Sequence, residues 1–202
     1  MTEPRTLTQI AGAPLTPSPL ASSALLVIDL QNEYQSGALP LDQLDRALTE
    51  TKKLLVLARA NGVPVFHFQH KTGPGAPIFD PTGPHFGLID AVKPVAGETV
   101  IEKNYPNCFT ATGLADALKA SGRSEVIIAG AMTHMCISAT ARSALDHGYR
   151  ATVVADACAT RPLPGALGGT IPASQVHDTA LAEIADGFNV VVRNADAWAP
   201  SP

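Results

Sequence analysis

The chain has few cysteines and no long hydrophobic run. Three cysteines stand among 202 residues, without the close spacing of metal or redox pairs. This pattern favours free thiols in a reducing compartment and predicts a cytoplasmic location. The most apolar runs, such as residues 24–28, are far shorter than the roughly 20 residues of a membrane span. The first ten residues lack a basic start followed by an apolar run, so we expect no signal peptide.

A strong charge of one sign is also missing. The formal net charge is −4 and the basic residues are scattered along the chain, which disfavours a nucleic-acid partner. Hydrophobic residues make up 46% of the chain, which excludes a disordered protein. The length suits one α/β domain with a single core. We therefore expect a small-molecule substrate as partner, and neither nucleic acid nor a membrane.

Several nucleotide and hydrolase motifs are absent. The chain has no Gly-x-Gly-x-x-Gly or Walker loop, which disfavours a dinucleotide or ATP role. It also has no Gly-x-Ser-x-Gly, the sequence around the nucleophile of serine α/β-hydrolases. The histidines do not form a cluster with ligand spacing. We predict neither a cofactor nor a metal.

The hydrophobic pattern alternates between strands and helices. Residues 1–23 are rich in proline and are predicted to form an irregular arm that precedes a domain of residues 24–202. Apolar runs of strand length predict six strands, at 24–30, 63–69, 99–102, 125–129, 151–155 and 188–192. Helical spacing predicts helices at 41–60, 112–120, 134–147 and 173–185.

This alternation predicts a Rossmann-like three-layer α/β/α sandwich with six parallel strands, covered on both faces by helices. Such sheets place their sites beyond the carboxyl ends of the strands, near the switch in strand order. Two loops rich in glycine and proline interrupt the pattern, at 71–97 and 161–172. The first is long enough to be functional or to form a lid.

Three residues whose side chains could take part in catalysis lie at or just beyond predicted strand ends, namely Asp29, Lys103 and Cys136. Cys136 lies in the first turn of a predicted helix, where the partial positive charge can lower a thiol pKa below its free value of about 8.5. The free N–H groups there could also hold an oxyanion. A buried structural thiol is the competing interpretation.

The other two residues also have an alternative interpretation each. Asp29 closes an apolar strand, so its carboxylate must be paired, hydrated or functional, or it caps the following turn. If Lys103 is considered without the other two residues, the simplest interpretation is a solvated lysine at the start of a loop. Beside a carboxylate and a thiol, it would favour the thiolate and hold Asp29 in place.

Loops beyond the strand ends supply a predicted pocket wall suited to a small, flat or cyclic substrate. We assign to it Tyr34, Phe68, His85, Phe86, Phe109 and His134. Cys158 is expected to be a buried spectator. Cys108 could face the pocket, but no neighbour in sequence would activate it. His177 is expected to be structural.

The three motifs together resemble the isochorismatase-like cysteine hydrolases. Residues 25–34 read LLVIDLQNEY, residues 100–103 read VIEK and residues 129–142 read AGAMTHMCISATAR. The likeness covers about residues 24–192, nearly the whole domain. The segments GPHF at 83–86 and YPN at 105–107 resemble the branch that contains streptothricin hydrolase-like enzymes.

This resemblance implies an Asp29–Lys103–Cys136 triad and a cis peptide bond between Ala131 and Met132. It also implies an oxyanion hole formed by the N–H groups of Met132 and Cys136. The expected reaction is hydrolysis of a small amide or lactam C–N bond through a thioester. Members of the family usually associate, so we expect a homo-dimer or homo-tetramer.

Four alternatives remain open. An isochorismatase-type enzyme would cleave a vinyl ether without needing the thiol. A nicotinamidase-like amidase would bind a metal through an Asp-x-His element after the second strand, which residues 66–71 lack, although Asp80 and His85 leave some room for one. A non-catalytic binding or scaffold protein and a redox sensor are the remaining interpretations.

Overall fold

A computed structural model describes residues 3–199. Its main feature is a six-stranded sheet in which every neighbouring pair is parallel, in the order β3-β2-β1-β4-β5-β8. The strands are β1 Ser23–Ile28, β2 Val65–His70, β3 Thr99–Lys103, β4 Glu125–Ala131, β5 Arg150–Ala159 and β8 Val190–Val192. The predicted six-stranded parallel sheet is confirmed.

The described helices are α1 Leu7–Ile10, α2 Leu44–Ala60, α3 Leu114–Ser121, α4 Ser138–Asp146 and α5 Ala173–Gly187. Alternate side chains of β1 enter two different core clusters. Leu26 and Ile28 face the side of α3, α4 and α5, whereas Leu25 and Val27 face the side of α2. Burial on both faces explains why β1 reads as a continuous apolar run rather than an alternating one.

Among the boundaries that differ from the prediction, two are set by residues with positive φ, where the backbone turns. β1 ends at Ile28, since Asp29 has φ 53°. α2 begins at Leu44 instead of residue 41, since Gln43 has φ 58°. The loop predicted at 161–172 contains a short antiparallel ribbon formed by β6 Leu163–Pro164 and β7 Thr170–Ile171.

The predicted irregular arm contains α1, a helix of one turn that is hydrogen-bonded to α5. The Leu7 N–H donates to Asp186 Oδ1 at 3.0 Å and the Thr8 hydroxyl donates to the Asp186 carbonyl at 3.1 Å. Residues 1 and 2 of this arm lie outside the described residues, as do residues 200–202. Within the described range, no helix has the length and hydropathy that a bilayer crossing requires.

The long loop predicted as functional is fastened to the sheet by two buried side chains that follow β1. Gln31 Nε2 donates to the carbonyl oxygens of His70 and Phe86, and Gln31 Oε1 accepts from the His70 N–H. Glu33 Oε2 accepts from the N–H of Phe79 at 3.2 Å. These bonds hold the loop against the carboxyl edge of the sheet.

Candidate active site

Asp29 leaves the sheet at the carboxyl end of β1 in a left-handed conformation, with φ 53°. Asp tolerates this region better than most residues, and such strained positions cluster at functional sites. Its N–H still donates to the Phe68 carbonyl of β2 at 3.1 Å. The side chain is fully buried, and neither carboxylate oxygen accepts a backbone N–H within the described residues. A buried carboxylate in this state requires a counter-charge.

Lys103 supplies that charge. It is the last residue of β3, two strands away from β1, and its buried side chain reaches across the end of β2. Its Nζ lies 2.6 Å from Asp29 Oδ2 and 3.3 Å from Cys136 Sγ. It also donates to the Tyr105 carbonyl at 3.1 Å. The structure thus brings together the three side chains that the sequence placed beyond strand ends; we call them the triad cluster.

Cys136 is held by a π-helical turn, Thr133–Ile137, rather than by the regular helix start that was predicted. The preceding Gly130 has φ 130°, and a Cβ there would collide with the Ile28 carbonyl. Glycine therefore allows β4 to approach β1 closely enough to place Cys136 beside Asp29. The peptide bond between Ala131 and Met132 is cis, at the position that the family resemblance implies.

The Cys136 thiol is protonated in the resting site. Burial raises its pKa to about 12, and the charge of Asp29 adds to this effect, whereas Lys103 opposes it. Burial is the largest influence on the pKa of Lys103 and acts to lower it, but the charge of Asp29, the hydrogen bond to Asp29 and the neighbouring thiols together outweigh it, so the net pKa is raised. The lowered thiol pKa expected from a helix start is therefore wrong. Reaction at sulfur requires an acceptor for its proton, and Asp29 is adjacent.

His70 contacts the triad cluster, although it was not predicted as a site residue. Its Nδ1 lies 3.3 Å from Lys103 Nζ, which can only donate, so Nδ1 is the acceptor and the neutral ring carries its proton on Nε2. Burial and the charge of Lys103 lower the pKa of His70, which favours this neutral form. His70 pairs with Lys103 in the β2–β3 register, and this pairing becomes evident only in the structure.

Aromatic and basic side chains surround this cluster. Tyr34 is buried and its ring meets Phe79 edge-on at 5.4 Å, while Phe79 meets His70 at 5.0 Å. Burial and the charge of Asp29 raise the pKa of Tyr34 well above its ordinary value, and Arg161 opposes the shift. Burial and the charge of Arg161 lower the pKa of His134. The Nε of Arg161 is buried without a hydrogen-bond partner among the described residues. Phe79 and Arg161 were not predicted to lie near the site.

The remaining predicted wall residues occupy different places. His134 Nδ1 lies 2.7 Å from Thr160 Oγ1, and Phe68 is fully buried in the core. His85 Nδ1 lies 3.2 Å from the exposed Ser36 hydroxyl. The Phe86 carbonyl accepts hydrogen bonds from Gln31 and Gln69, and its ring is half-buried.

The assignment of Phe109 to the wall is wrong. Its ring stacks on His147 at a centroid distance of 4.4 Å. His147 caps the carboxyl end of α4, whereas Cys136 precedes its amino end. At 1.5 Å per residue the two ends lie about 16 Å apart along the helix axis. The Phe109 side chain therefore points away from the thiol and covers the core.

All three cysteines are free and buried. Cys158 lies within β5, and burial raises its pKa to about 12, as expected of a spectator. The Cys108 N–H donates to Thr140 Oγ1 at 3.0 Å, and burial raises the pKa of its thiol well above the ordinary value. Cys108 shares a core cluster with Cys136.

One set of potential metal ligands is present among residues 3–199. Ligand atoms of Asp29, His70 and Cys136 all lie within 4.8 Å of one another. The pair suggested by the nicotinamidase alternative is not brought together in this set. Asp80 instead accepts from the N–H and hydroxyl of Thr82, and His85 contacts Ser36.

An open cavity lies at the same edge of the sheet as the triad cluster. We call it the side crevice: a space of about 540 Å³ at the carboxyl ends of β5 and β8, lined by charged residues and by His177. The buried His177 contacts Thr133, the first residue of the turn that carries Cys136, at 2.9 Å between Nδ1 and Oγ1. The crevice wall includes Thr160 and Cys158 but no residue of the triad cluster.

Comparison with known proteins identifies the family of the chain. Residues 23–196 match the isochorismatase domain family. A streptothricin hydrolase of Streptomyces noursei is 37% identical over 85% of this chain and 63% of its own length. Maleamate amidohydrolase of Pseudomonas putida is 32% identical over 86% of this chain and 84% of its own.

A crystal structure of an isochorismatase from Pseudomonas putida KT2440 superposes with a TM-score of 0.90 and 40% identity, covering 96% of this chain and 99% of that one. The matched region contains the whole parallel sheet, Lys103 and the three residues whose side chains contact Lys103 Nζ. The chain is a hydrolase of the isochorismatase family.

Proposed function

We propose that this protein hydrolyses a C–N bond of amide type in a small molecule, with Cys136 as nucleophile, Asp29 as general base and acid, and Lys103 as the stabilising charge. One observation carries the proposal. The Lys103 ammonium lies 2.6 Å from Asp29 Oδ2 and 3.3 Å from Cys136 Sγ, in a buried site. A base, a charge and a nucleophile in mutual contact are the parts that covalent catalysis needs.

The reaction begins with the thiol protonated, because its pKa is about 12. As Sγ attacks the carbonyl carbon, its proton passes to Asp29 and the Lys103 ammonium stabilises the developing charge on sulfur. Asp29 then protonates the leaving nitrogen, which departs as ammonia or an amine. Water attacks the thioester with Asp29 as base, and the carboxylic acid leaves as the thiol reforms.

The oxyanion of each tetrahedral intermediate is assigned to the backbone N–H groups of Met132 and Cys136. Met132 is half-buried, and it directly precedes the turn that holds the nucleophile. Donors placed on a fixed backbone need no reorganisation as charge develops. Loss of one such donor slows related reactions by about 10²–10³.

The substrate class is a small amide, lactam or carbamate. The triad cluster is buried, which favours a small acyl group. The names of two relatives, a streptothricin hydrolase and a maleamate amidohydrolase, support hydrolysis of this kind. The side chains of Tyr34, His134 and Arg161 are the candidates for contacting the rest of the molecule.

An ammonia-release screen tests the proposal. The purified protein would be incubated with small amides, lactams and carbamates, with and without a chelator, and with Cys136→Ala as the comparison. We expect at least one substrate to release ammonia or an amine or, for a lactam, to open and gain a free amino group, with no effect of the chelator and loss of turnover by about 10⁴-fold or more in Cys136→Ala. Cys158→Ala is the matched control, because it removes another buried thiol outside the cluster.

Two outcomes would contradict the proposal. C–N hydrolysis that survives in Cys136→Ala would show that the thiol is not the nucleophile, and cleavage of a vinyl-ether substrate by both the wild type and Cys136→Ala would favour the thiol-independent vinyl-ether hydrolase. Turnover that disappears with chelator and returns with added metal would favour the nicotinamidase-like amidase. The homo-dimer or homo-tetramer and the cytoplasmic location stay predictions, and analytical ultracentrifugation would test the former.

A further inference from the structure

The Lys103 ammonium occupies the centre of a set of atoms that resembles a metal coordination shell. Asp29 Oδ2, His70 Nδ1 and Cys136 Sγ lie 2.6, 3.3 and 3.3 Å from its nitrogen. The Tyr105 carbonyl, at 3.1 Å, completes four neighbours. Carboxylate, imidazole and thiolate are the ligands that Zn²⁺ and similar cations prefer. The Lys103 ammonium thus occupies the position that a bound metal cation would take.

A second observation concerns Asp29. Both of its carboxylate oxygens are fully buried and accept no backbone N–H among the described residues, and their counter-charge is the Lys103 ammonium, 2.6 Å from Oδ2. Buried carboxylates are ordinarily hydrogen-bonded as well as paired. A metal cation that binds Asp29 therefore has to displace the ammonium, but it breaks no hydrogen bond from the backbone.

We propose that Asp29, His70 and Cys136 form an inhibitory site for a thiophilic divalent cation such as Zn²⁺ or Cd²⁺, and that the Lys103 ammonium competes with the metal for this position. The set uses the nucleophile and the base, so it differs from a metal site that would bind substrate or activate water. His70 is the ligand that turns a catalytic pair into a three-ligand site.

The required movement is small. The three ligand atoms lie within 4.8 Å of one another, whereas tetrahedral Zn²⁺ with bonds of about 2.0–2.3 Å holds its ligands about 3.3–3.8 Å apart. A contraction of about 1 Å by side-chain rotation is enough, provided that the ammonium leaves. Water or the Tyr105 carbonyl would supply a fourth ligand.

The exchange involves no redox change. The Sγ–H bond breaks and a sulfur–metal bond forms, the thiol proton passes to solvent, and the Lys103 side chain withdraws from the cluster with its own proton. The metal then blocks both the nucleophile and the base. The inhibition rests on the proposed function, whereas the binding does not.

Cd²⁺ titration of the metal-free protein would test the site, followed by the ultraviolet absorption of the thiolate–Cd²⁺ bond. We expect one equivalent to bind to the wild type and the absorption to vanish in Cys136→Ala. Binding in His70→Phe should be weaker by at least the roughly 10–100-fold that even outer partners contribute to metal affinity. Lys103→Met should bind more tightly, and Cd²⁺ should raise its thermal midpoint more than that of the wild type.

His147→Gln is the matched control, because His147 is exposed and lies at the far end of α4. Equal Cd²⁺ affinity in His70→Phe and His147→Gln would overturn the assignment, as would absorption that persists in Cys136→Ala. If Lys103→Met does not fold, the His70→Phe comparison still decides. Binding as expected in a protein that hydrolyses no amide would refute the proposed function and leave the metal site standing.

Discussion

The triad cluster and the side crevice lie at the same edge of the sheet, and both contain acidic, basic and thiol groups. They differ in solvation. In the crevice, Asp156 contacts Arg46 at 3.3 Å and Arg193 at 3.5 Å, and the two arginine side chains are 41% and 84% exposed. In the triad cluster, Asp29 and Lys103 are both fully buried.

This difference shows why cavity volume alone does not locate the chemistry. The crevice is open and its charges can be solvated, so each ion pair there is weak. The charged side chains of the cluster are shielded from solvent, and electrostatic interactions between buried groups are much stronger. Each prediction below changes one group of the cluster and, where the crevice offers one, a matched group there.

The largest difference is expected between the two carboxylates. Asp29→Asn removes the group that accepts the thiol proton, so kcat/KM for amide hydrolysis should fall by about 10²–10⁴. Asp156→Asn removes a solvated carboxylate and should leave kcat/KM within about twofold. Steady-state rates of ammonia release would measure both. A comparable fall in both variants would show that the crevice takes part in the reaction.

The two basic residues should differ in stability. Lys103→Met leaves Asp29 buried without a counter-charge, which should lower the free energy of unfolding by about 3–5 kcal/mol. Arg46→Met breaks a partly exposed pair and should change it by less than about 1 kcal/mol. Urea titrations followed by circular dichroism would compare them. Equal small losses would mean that the cluster is more hydrated than its burial indicates.

A smaller effect should appear where the two regions meet. Thr133 donates its hydroxyl proton to the Ala159 carbonyl at 3.1 Å, so it must accept from His177 Nδ1–H. Thr133→Val leaves both buried partners unpaired and should lower the free energy of unfolding by about 1–3 kcal/mol.

Thr133→Ser keeps the hydroxyl and is the matched control for this contact. It should retain most of the stability and the activity of the wild type, whereas Thr133→Val should also lower kcat because the turn that carries Cys136 loses its attachment. Thermal unfolding and steady-state rates would be measured on the same preparations. A kcat unchanged in Thr133→Val would show that the turn is held by its own backbone.

The triad cluster could be predicted from the sequence because parallel strands share one carboxyl edge, and Asp29, Lys103 and Cys136 each stand at or beyond a strand end. His70 could not, since the sequence did not give the pairing of β2 with β3 or the last residue of β2. Phe109 was misplaced because the direction of a loop side chain depends on tertiary contacts, here the stacking on His147.

The sign of the thiol shift was also beyond the sequence. A helix start and a lysine both favour a lowered pKa, and these were the visible features. Burial and the adjacent charge of Asp29 reverse that expectation, and both arise only when β1 and β4 meet. Close approach at Gly130 makes this contact, so the residue that decides the electrostatics is a glycine without any charge of its own.

The smallest effect concerns that thiol. Because the negative charge of Asp29 adds to burial in raising the pKa of Cys136 to about 12, Asp29→Asn should lower this pKa while it slows hydrolysis. Each unit by which the pKa falls gives a tenfold rise in thiolate at neutral pH, equivalent to about 1.4 kcal/mol. The rate of iodoacetamide alkylation should therefore increase by about tenfold near pH 8 in Asp29→Asn.

Alkylation rates measured from about pH 7 to pH 12 would test this expectation, with Cys136→Ala subtracting any reaction of the fully buried Cys108 and Cys158. Asp156→Asn should follow the wild-type curve, because Asp156 is not among the groups that shift the pKa of Cys136. Identical pH profiles for Asp29→Asn and the wild type would contradict the account, since Asp29 would then exert no charge on the sulfur. A more reactive thiol in a less active enzyme would separate two effects of Asp29. Its charge keeps the thiol protonated in the resting site, and its carboxylate accepts the proton during attack.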